Sequence, residues 1–398
     1  MHICFVCREY IPSLRGGGIA SYVYNMAHIF NSKGHKVTVI CASDNTYKSE
    51  NDYDNGINVI RLSGGDFYIE GAEDYNIMKK LRVVYRFHSY RKKLVRVIKE
   101  IEDIDIIEVA DFGAESLYFD KLNVPYIIRL HNPSLFDSDT LKIKKLDFRS
   151  IYFYYQARKE IELIAKASYI SSCSEGMKNW VLDNIKDVMA DIRVIYNPIE
   201  INKLEIPKRE KNKPVIFYAG TISEWKGCRD LIMACEKLIS IGVDFDLYMA
   251  GKMGKYAYRL QDSYKNHKWI HFLGKLDHNQ LFDYYKNSTV VCLPSWWDNM
   301  PMVCIEAMMC GAVVIGSTSG GMKEIITDKV DGFHVRRKSV DELTDLLKYC
   351  LQLDQTDRIA ISNKAKNKIY QKFSSDIIYE QMISYYHYVI NDFKNNRI

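Results

Sequence analysis

The sequence predicts an α/β protein of two doubly wound domains, and three observations lead to this fold class. Short apolar segments alternate with helix-like segments along the whole chain, as they do in doubly wound proteins. The apolar segments lack strict polar alternation, which is typical of strands buried on both faces of a parallel sheet. A segment rich in proline and lysine, 197–214, interrupts this pattern once, and the pattern then starts again. We therefore expect a first domain over 1–200, a linker over 201–213, a second domain over 214–375 and a final helix over 376–398 that packs back toward the first domain.

The first domain opens with an apolar strand and an amphipathic helix. The helix is predicted over Ile19 to Phe30, because apolar residues recur on one face and Gly34 stands just beyond its end. The strands of this domain are predicted at Ile3 to Cys7, Val37 to Cys41, Asp105 to Val109, Tyr126 to Leu130, Tyr169 to Ser172 and Arg193 to Tyr196.

The second domain repeats the alternation of strands and helices. A helix is predicted over Asp230 to Ile239, and the chain reads as helical from Val340 onward. The strands are predicted at Val215 to Ala219, Phe245 to Ala250, Ile270 to Leu273, Val290 to Leu293, Val313 to Ile315 and Phe333 to Val335. Two such domains leave a cleft between the carboxyl ends of their sheets, where ligands of open α/β sheets bind.

The composition excludes several classes of protein. Of 398 residues, 47% are hydrophobic and 26% charged, far from the composition of disordered chains. No apolar run approaches the roughly 18 residues that span a membrane, and Arg8 and Glu9 end the first apolar run too early for a signal peptide. Cys4 and Cys7 form a CxxC inside a predicted strand, where the two side chains point to opposite faces. We therefore expect reduced cysteines and a cytoplasmic protein.

Positive charge is concentrated in one stretch, although the net charge is only +5. Residues 77–100 carry nine basic residues and one acidic residue, interleaved with Tyr85, Phe87 and Tyr90, and three lysines follow at Lys142, Lys144 and Lys145. A basic helix with aromatic anchors is typical of peripheral attachment to an anionic membrane surface, here the inner face. The alternative is a solvated basic helix face. Nucleic acid is not expected as a partner, because no recognition motif accompanies the charge.

Three groups of residues are candidates for chemistry. Gly16, Gly17 and Gly18 lie between the first strand and the first helix, where glycines let a ligand approach the backbone and the helix start favours an anion. His131 follows a strand, beside a proline turn. Asp298 and Glu306 stand in a D-x7-E spacing around the start of a predicted helix near Met302, after the strand that ends at Leu293. Trp296 and Trp297 lie between Leu293 and Asp298, and we expect their side chains to flank a ring of the ligand.

The segment from Leu293 to Glu324 resembles the signature of retaining glycosyltransferases of family 4. That family has the GT-B fold, two Rossmann-like doubly wound domains facing across a central cleft, and shows P-S-x-x-E-x7-E-A followed by a G-G-x-x-E turn. The matching residues are Pro294, Ser295, Asp298, Glu306, Ala307, Gly311, Gly320, Gly321 and Glu324. Further landmarks occur in the family's order, namely the glycine loop, GHKVTVI, His131, SCSEGMKNW, VIYNPIE, AGTISEWKG, AGKMG and FLGKL. The resemblance covers nearly the whole chain.

The resemblance implies transfer of a hexose-type sugar, with retention, from a UDP- or GDP-sugar to a hydroxyl of a glycan or lipid-linked glycan, as in bacterial surface polysaccharide synthesis. It implies His131, Lys226 and Asp298 as catalytic residues, with Glu306 on the ribose and Lys226 on the diphosphate. The donor contacts that it implies are Gly17, Gly18, Thr221, Lys226, Asp298, Asn299, Met300, Met302, Val303 and Glu306. It requires no metal or other cofactor, since the nucleotide sugar is a substrate.

The sequence departs from the family pattern at three positions. Asp298 stands where glutamate is usual, Thr221 where arginine is frequent, and Pro301, which lacks an N–H group, where glycine is frequent. A nucleotide-sugar epimerase of the same fold and a non-catalytic sugar-binding relative are the alternatives. Two DxD pairs, Asp103 with Asp105 and Asp244 with Asp246, precede apolar strands, and we expect them to be solvated strand entries rather than metal ligands.

Overall fold

The computed structural model describes residues 1–13, 17–45, 47–65, 77–136, 151–199 and 213–396, with backbone alone at 77–81 and 151–154. The chain forms two compact units, Met1–Pro198 with Ser375–Ile398, and Ile199–Ser374. Three sets of residues named from the sequence lie outside the described residues: Gly16, the three lysines at 142, 144 and 145, and residues 201–212 of the expected linker.

Within its described residues the first unit contains an eight-stranded sheet of order β3-β4-β2-β1-β5-β6-β7-β8. The strands are β1 (His2–Val6), β2 (Lys36–Ala42), β3 (Glu50–Asp54), β4 (Ile57–Leu62), β5 (Ile106–Ala110), β6 (Tyr126–Leu130), β7 (Ile170–Ser172) and β8 (Ile192–Val194). The helices here are α1 (Gly18–Ser32), α2 (Ile77–Glu100), α3 (Ile151–Lys166) and α4 (Glu175–Asn184). Every residue of the neighbouring strands β1 and β5 is buried, which explains their continuous apolar sequence.

A hairpin at the edge of this sheet is the element that hydrophobic periodicity did not predict. β3 and β4 pair antiparallel, whereas the other strand pairs of the sheet are parallel. β3 is mostly exposed and polar, so it carries no apolar signal. The turn joining the two strands holds Asn55 and Gly56 at φ 48° and 93°. Asn-Gly is the usual sequence for such a turn and was the available signal.

The described part of the second unit contains a six-stranded parallel sheet of order β11-β10-β9-β12-β13-β14. The strands are β9 (Val215–Ala219), β10 (Asp246–Ala250), β11 (Ile270–Gly274), β12 (Val290–Leu293), β13 (Val314–Ser317) and β14 (Phe333–Val335). The helices are α5 (Cys228–Ser240), α6 (Lys255–Ser263), α7 (His278–Asn287), α8 (Met302–Met309), α9 (Met322–Ile325), α10 (Val340–Gln352) and α11 (Gln355–Phe373).

The last helix, α12 (Ser375–Asn395), belongs to the first unit. Its apolar residues Ile378, Met382, Tyr386 and Val389 are fully buried in the same core cluster as α1 and the central strands of that unit. The hydroxyl of Tyr386 donates a hydrogen bond of 2.7 Å to Glu108 on β5. The chain therefore returns to the first unit after completing the second.

Strand order reverses at one point in each sheet. β1 lies between β2 and β5, and β9 lies between β10 and β12. At such a reversal the loops leaving the two central strands diverge to opposite faces and open a crevice at the carboxyl edge, where ligands of these folds bind. We therefore expect the ligand-binding residues in the loops after β1, β5, β9 and β12.

Candidate active site

In the second unit, the loops that follow β9 and β12 are in direct contact. The backbone N–H of Trp296 donates a hydrogen bond of 2.9 Å to the carbonyl of Trp225. Gly227 has φ 70°, and a Cβ atom there would lie 2.1 Å from the carbonyl oxygen of Pro294. A side chain at this position would separate the two loops, so glycine is required for their contact.

This contact brings together Lys226 and Asp298, two residues that the resemblance implies as catalytic. The Nζ of Lys226 donates a hydrogen bond to Oδ2 of Asp298, and the side chains are only 16% and 19% exposed. The same ammonium lies 4.4 Å from the centre of the Trp225 ring. The charge of Lys226 is thus compensated by Asp298, a pairing that the sequence did not predict.

The turn at Gly320 and Gly321 fixes the backbone of Asp298. The N–H of Gly321 donates to the carbonyl of Asp298 at 2.9 Å. Gly320 has φ 64°, and a Cβ atom on it would lie 2.1 Å from the same carbonyl oxygen. The G-G-x-x-E turn therefore supports the backbone of Asp298. The helix that follows the turn, α9, has only four residues.

Glu306 lies on α8, in the turn of the helix that faces α7. Its Oε2 accepts a hydrogen bond of 3.2 Å from the hydroxyl of Tyr285. Burial raises the pKa of Glu306, and the nearby His278 opposes that shift. Among the described residues one donor binds this carboxylate, which leaves acceptor capacity for a diol.

The start of α8 lies between Asp298 and Glu306 and is chemically suited to an anion. Pro301 precedes the helix and supplies no side-chain cap. The first N–H groups of a helix have no partner within it, and the helix dipole favours negative charge there. Met302 and Val303 are half-buried at this start. A diphosphate at their amides would complete the hydrogen bonding of the helix.

Three loops at the carboxyl edge of the same sheet are stacked on each other. The N–H of Gly220 donates to Ala250 and that of Gly251 donates to Gly274, at 3.0 and 2.7 Å. A Cβ atom on Gly251 would lie 1.8 Å from the carbonyl oxygen of Gly220. The loops carry Thr221, Lys252 and Lys275, all of them exposed.

Lys252 and Lys275 are candidate cations that the sequence analysis did not single out. Among the described residues neither forms an ion pair, in contrast to Lys226. Lys252 follows Gly251, the residue directly after β10, and Lys275 follows Gly274, the last residue of β11. This repeated Gly-Lys pair at the ends of neighbouring strands was the signal that could have identified them.

Other side chains of the predicted donor loop are engaged in the fold. The indole N–H of Trp297 donates to Oδ1 of Asn299, and Trp297 is mostly buried, so it cannot flank a ligand ring as expected. Met300 is also mostly buried, which leaves its backbone for contact with a donor. Trp296 is half-buried and its indole N–H donates to Asp230 at 2.8 Å.

His131 lies in the first unit, directly after β6. Its backbone N–H donates to Oδ1 of Asp111 at 3.0 Å, and its ring packs edge-on against Tyr22 with 4.9 Å between ring centres. Burial, and next Arg129, lower the pKa of His131 well below its usual value. The imidazole is therefore neutral at physiological pH and can both donate and accept a hydrogen bond.

Gly17 and Gly18 lie at the start of α1, after β1. Gly17 has an extended backbone, and no atom lies within 4 Å of a Cβ built on Gly18. Neither glycine is required by backbone strain or by crowding from the rest of the fold. No described atom crowds the first turn of α1 at Gly18, as an approaching ligand would need.

The basic stretch forms α2, and the structure corrects one expectation about it. Phe87 and Tyr90 are buried in the first unit, so the expectation that they anchor the protein in a membrane is wrong. Arg91 is fully buried as well, and donates hydrogen bonds to three backbone carbonyls. Tyr85 is 73% exposed. The outer face carries an exposed basic stripe of Arg82, Lys92, Arg96 and Lys99.

The two DxD pairs are engaged with the entries of their strands. Asp105 accepts a hydrogen bond of 2.7 Å from the backbone N–H of His2. Lys213 forms ion pairs with Asp244 and Asp246 at 2.8 and 3.2 Å. In the part of the chain that the structure describes, no three His, Cys, Asp or Glu residues are grouped to hold a metal ion.

Comparison with known proteins adds family information to this geometry. The family model of glycosyl transferases group 1 matches residues 200–368, and that of Glycosyltransferase Family 4 matches residues 16–203. An uncharacterised glycosyltransferase of Methanocaldococcus jannaschii is 26% identical over 415 residues, which cover 97% of this chain and 98% of the relative.

Solved structures of other proteins are similar over nearly the whole chain. Sucrose-phosphate synthase from Thermosynechococcus elongatus has a TM-score of 0.78 at 16% identity, over 98% of this chain and 99% of the other. HepE from Anabaena, solved in complex with UDP-glucose, has a TM-score of 0.70 at 17% identity, over 96% and 98%. At these identities the likeness shows the fold, and it confirms the expected α/β architecture of GT-B type.

Proposed function

Because the chain belongs to the group 1 and family 4 glycosyltransferases, we propose that it transfers a hexose-type sugar from a UDP- or GDP-sugar to a hydroxyl of a glycan or lipid-linked glycan. The anomeric configuration is retained in this proposal, and the product belongs to bacterial surface polysaccharide. One observation carries it: at the strand reversal of the second unit two loops bring Lys226 to Asp298, which precedes the start of α8, and Glu306 lies on that helix.

The nucleotide is bound by the second unit. Glu306 accepts hydrogen bonds from the ribose diol, since Tyr285 occupies only part of its acceptor capacity. The diphosphate lies at the amides of Met302 and Val303, where the helix dipole favours negative charge. Lys252 and Lys275 add positive charge from the neighbouring loops.

The chemical difficulty is the diphosphate that leaves with growing negative charge. Fixed amides and cations stabilise such charge without rearranging during the reaction. In our proposal the donor breaks the bond between Lys226 and Asp298: the ammonium turns to the diphosphate, and the carboxylate accepts hydrogen bonds from the sugar hydroxyls. No protein carboxylate needs to act as nucleophile, because the leaving phosphate can take the acceptor's proton.

We assign His131 the role of a hydrogen-bonding group for the transferred sugar. The support is its neutral state, which the buried environment and Arg129 favour. A neutral imidazole binds a hydroxyl without adding a positive charge that would compete with Lys226 for the diphosphate. Gly17 and Gly18 contribute the open start of α1 to the same reaction.

We also propose that the exposed basic stripe of α2 attaches the protein to the anionic cytoplasmic face of a membrane. The apolar side of α2 is buried, so attachment is electrostatic and does not involve insertion. Among the described residues, no helix is long and apolar enough to cross a membrane. A double variant Lys92→Ala with Arg96→Ala should lose sedimentation with vesicles containing phosphatidylglycerol, and unchanged sedimentation would contradict this attachment.

The reaction itself is tested by incubating the protein with UDP-, GDP- and ADP-sugars and a panel of glycan acceptors. We expect one donor to release its nucleoside diphosphate and the product to keep the anomeric configuration, read by proton NMR. Conversion of the donor sugar into its epimer without acceptor would instead identify an epimerase, and no turnover of any donor would favour a non-catalytic sugar-binding protein.

A further inference from the structure

A small cavity lies at the carboxyl edge of the first unit's sheet, outside the residues assigned to the donor. Its volume is about 140 Å³, and it is enclosed by α2 and by the loops that follow β2 and β4. Arg86, Ser89, Tyr90 and Lys93 line its helical side. These four residues are spaced i, i+3, i+4 and i+7, so they form one stripe of α2.

Lys93 supplies a positive charge that no described carboxylate compensates. Its Nζ donates to Oγ of Ser49 at 2.8 Å and to Oγ of Ser63 at 2.9 Å, and it lies 3.4 Å from the carbonyl of Ser63. These partners are neutral, and among the described residues Lys93 forms no ion pair. Burial lowers the pKa of Lys93, as expected for an ammonium that lacks a carboxylate.

Arg86 provides a second cation on the same stripe. It is half-buried, lines the cavity and makes no hydrogen bond or ion pair within the described residues. Two turns of helix separate it from Lys93, about 10 Å along the axis. No described residue occupies its guanidinium, and its planar set of donors suits two oxygens of one phosphate.

The described residues of the opposite wall are polar and leave room beside Gly64. Gly64 has φ 89°, and no atom lies within 4 Å of a Cβ built there. Ser63 presents a hydroxyl, and the ring of Tyr47, which is 90% exposed, stands at the same cavity. Two cations, a hydroxyl and an aromatic face are the groups that recognise a phosphorylated sugar.

We propose that this cavity binds a phosphate group carried by the glycosyl acceptor. The proposal rests on the transferase function proposed above and names the acceptor's chemistry. The parallel strands β2, β4 and β6 end at one edge of the sheet, so the cavity shares that edge with His131. The phosphate belongs either to a lipid-linked glycan at a membrane or to a soluble sugar phosphate.

Titration calorimetry of the full-length protein with glucose 6-phosphate, in the absence of nucleotide, tests the binding of a soluble phosphate. Sedimentation with vesicles of phosphatidylcholine and phosphatidic acid tests the lipid source, with every protein carrying Lys92→Ala and Arg96→Ala so that the exposed stripe of α2 does not contribute. We expect Arg86→Ala and Lys93→Ala each to weaken binding of the effective probe about tenfold or more, as loss of a charged hydrogen bond does. Lys166→Ala removes an exposed lysine elsewhere in the same unit and should leave binding unchanged.

Arg86 forms no hydrogen bond or ion pair with a described residue, so its variant stays informative even if Lys93→Ala fails to fold. Binding of neither probe, or equal binding by wild type and Arg86→Ala, would overturn the proposal. A phosphate bound at the donor site instead would be lost in Lys226→Ala and kept in Arg86→Ala. Because no donor is present, phosphate binding can succeed while donor turnover fails, which separates this proposal from the transferase function.

Discussion

The ammonium of Lys226 donates a hydrogen bond to Oδ2 of Asp298, although 72 positions separate the two residues in the chain. Lys226 lies in the loop after β9 and Asp298 in the loop after β12. Gly227 permits the contact between these two loops. The opposite charges of the two side chains compensate each other, and both side chains are half-buried. In the proposed reaction it must open when the donor binds, so each partner has a different effect on binding.

We expect Lys226→Ala to weaken binding of UDP or GDP by about tenfold to a hundredfold, because a charged hydrogen bond to the diphosphate is lost. Asp298→Asn should bind the same nucleotide at least as tightly as wild type, since it no longer competes for the lysine, while its rate of sugar transfer falls. Calorimetry and nucleotide release measure the two effects.

A matched control for Lys226→Ala is Lys237→Ala, which breaks the exposed ion pair with Asp341 in the same unit. Exposed pairs contribute little to stability, so this variant should behave like wild type. Equal loss of nucleotide affinity in Asp298→Asn and Lys226→Ala would contradict the proposed exchange of partners.

The glycines at the loop contact are predicted to be sensitive to one methyl group. Gly227→Ala and Gly320→Ala each place Cβ 2.1 Å from a carbonyl oxygen at a positive φ. We expect each to lower the free energy of unfolding by about 3 kcal/mol, from left-handed strain and overpacking together, and to weaken nucleotide binding.

Gly242→Ala separates left-handed strain from overpacking, because Gly242 has φ 81° but no atom within 4 Å of a built Cβ. Strain alone should lower its free energy of unfolding by about 1–2 kcal/mol and leave nucleotide binding intact. Denaturant titration and calorimetry measure both quantities. Equal losses of stability and of nucleotide binding in Gly227→Ala, Gly320→Ala and Gly242→Ala would show that crowding against the carbonyls of Pro294 and Asp298 has no effect of its own.

The carboxyl group of Asp111 predicts a pH dependence of stability. Burial, and next the nearby Glu160, raise the pKa of Asp111 to about 8 from the usual 3.8. The folded protein therefore keeps a proton that the unfolded chain releases, and stability falls as pH rises from about 4 to about 8, by up to about 1.4 kcal/mol per pH unit. Asp111→Asn has no titratable carboxyl group at this position, so this part of the pH dependence is absent from the variant.

Denaturant titrations of wild type and Asp111→Asn between pH 5 and 9 check this expectation. The stability of the variant relative to wild type should increase with pH up to about 8 and then level off. Asp120→Asn, an exposed carboxylate in the same unit, is the control. A difference between wild type and Asp111→Asn that stays constant with pH would contradict the protonated state.

A buried carboxylate, Glu108, links α12 to the rest of the first unit. Glu108 accepts hydrogen bonds from Tyr22 at 2.8 Å and from Tyr386 at 2.7 Å, which join α1, β5 and α12. We expect Tyr386→Phe to destabilise the protein by about 1.5–3 kcal/mol, because a buried carboxylate loses a donor. Thermal unfolding measures the change.

Tyr379→Phe is the matched control on the same helix. Its hydroxyl bonds the ring Nε2 of His35 at 2.9 Å in a half-buried place, where water can replace the lost partner. Its melting temperature should fall less than that of Tyr386→Phe. Equal effects would show that the carboxylate adds nothing to the docking of α12.

Apolar runs and their spacing predicted most strands and the first helix, because burial on both faces of a parallel sheet leaves a direct mark on the sequence. The hairpin of β3 and β4 was missed, since an exposed polar edge strand carries no such mark and only Asn55 and Gly56 signalled it. The burial of Phe87 and Tyr90 depends on which face of α2 meets the fold, which composition does not specify.

The candidate site was predictable as a set of residues but not as a set of contacts. The D-x7-E block and the glycine turns located the loops, whereas the bond between Lys226 and Asp298 depends on how two distant loops meet. The same holds for Trp297, whose indole bonds Asn299 instead of facing a ligand. Lys93 becomes notable only when its neutral partners are seen.

The most direct test of the central claim is calorimetric titration of UDP-, GDP- and ADP-sugars into wild type and Glu306→Gln. We predict that one donor binds wild type tightly and that Glu306→Gln, which keeps the shape of the side chain but loses its charge, binds the same donor at least tenfold more weakly. Absence of binding by every donor, or equal binding by the two proteins, would contradict the assignment of the second unit as the nucleotide-sugar site.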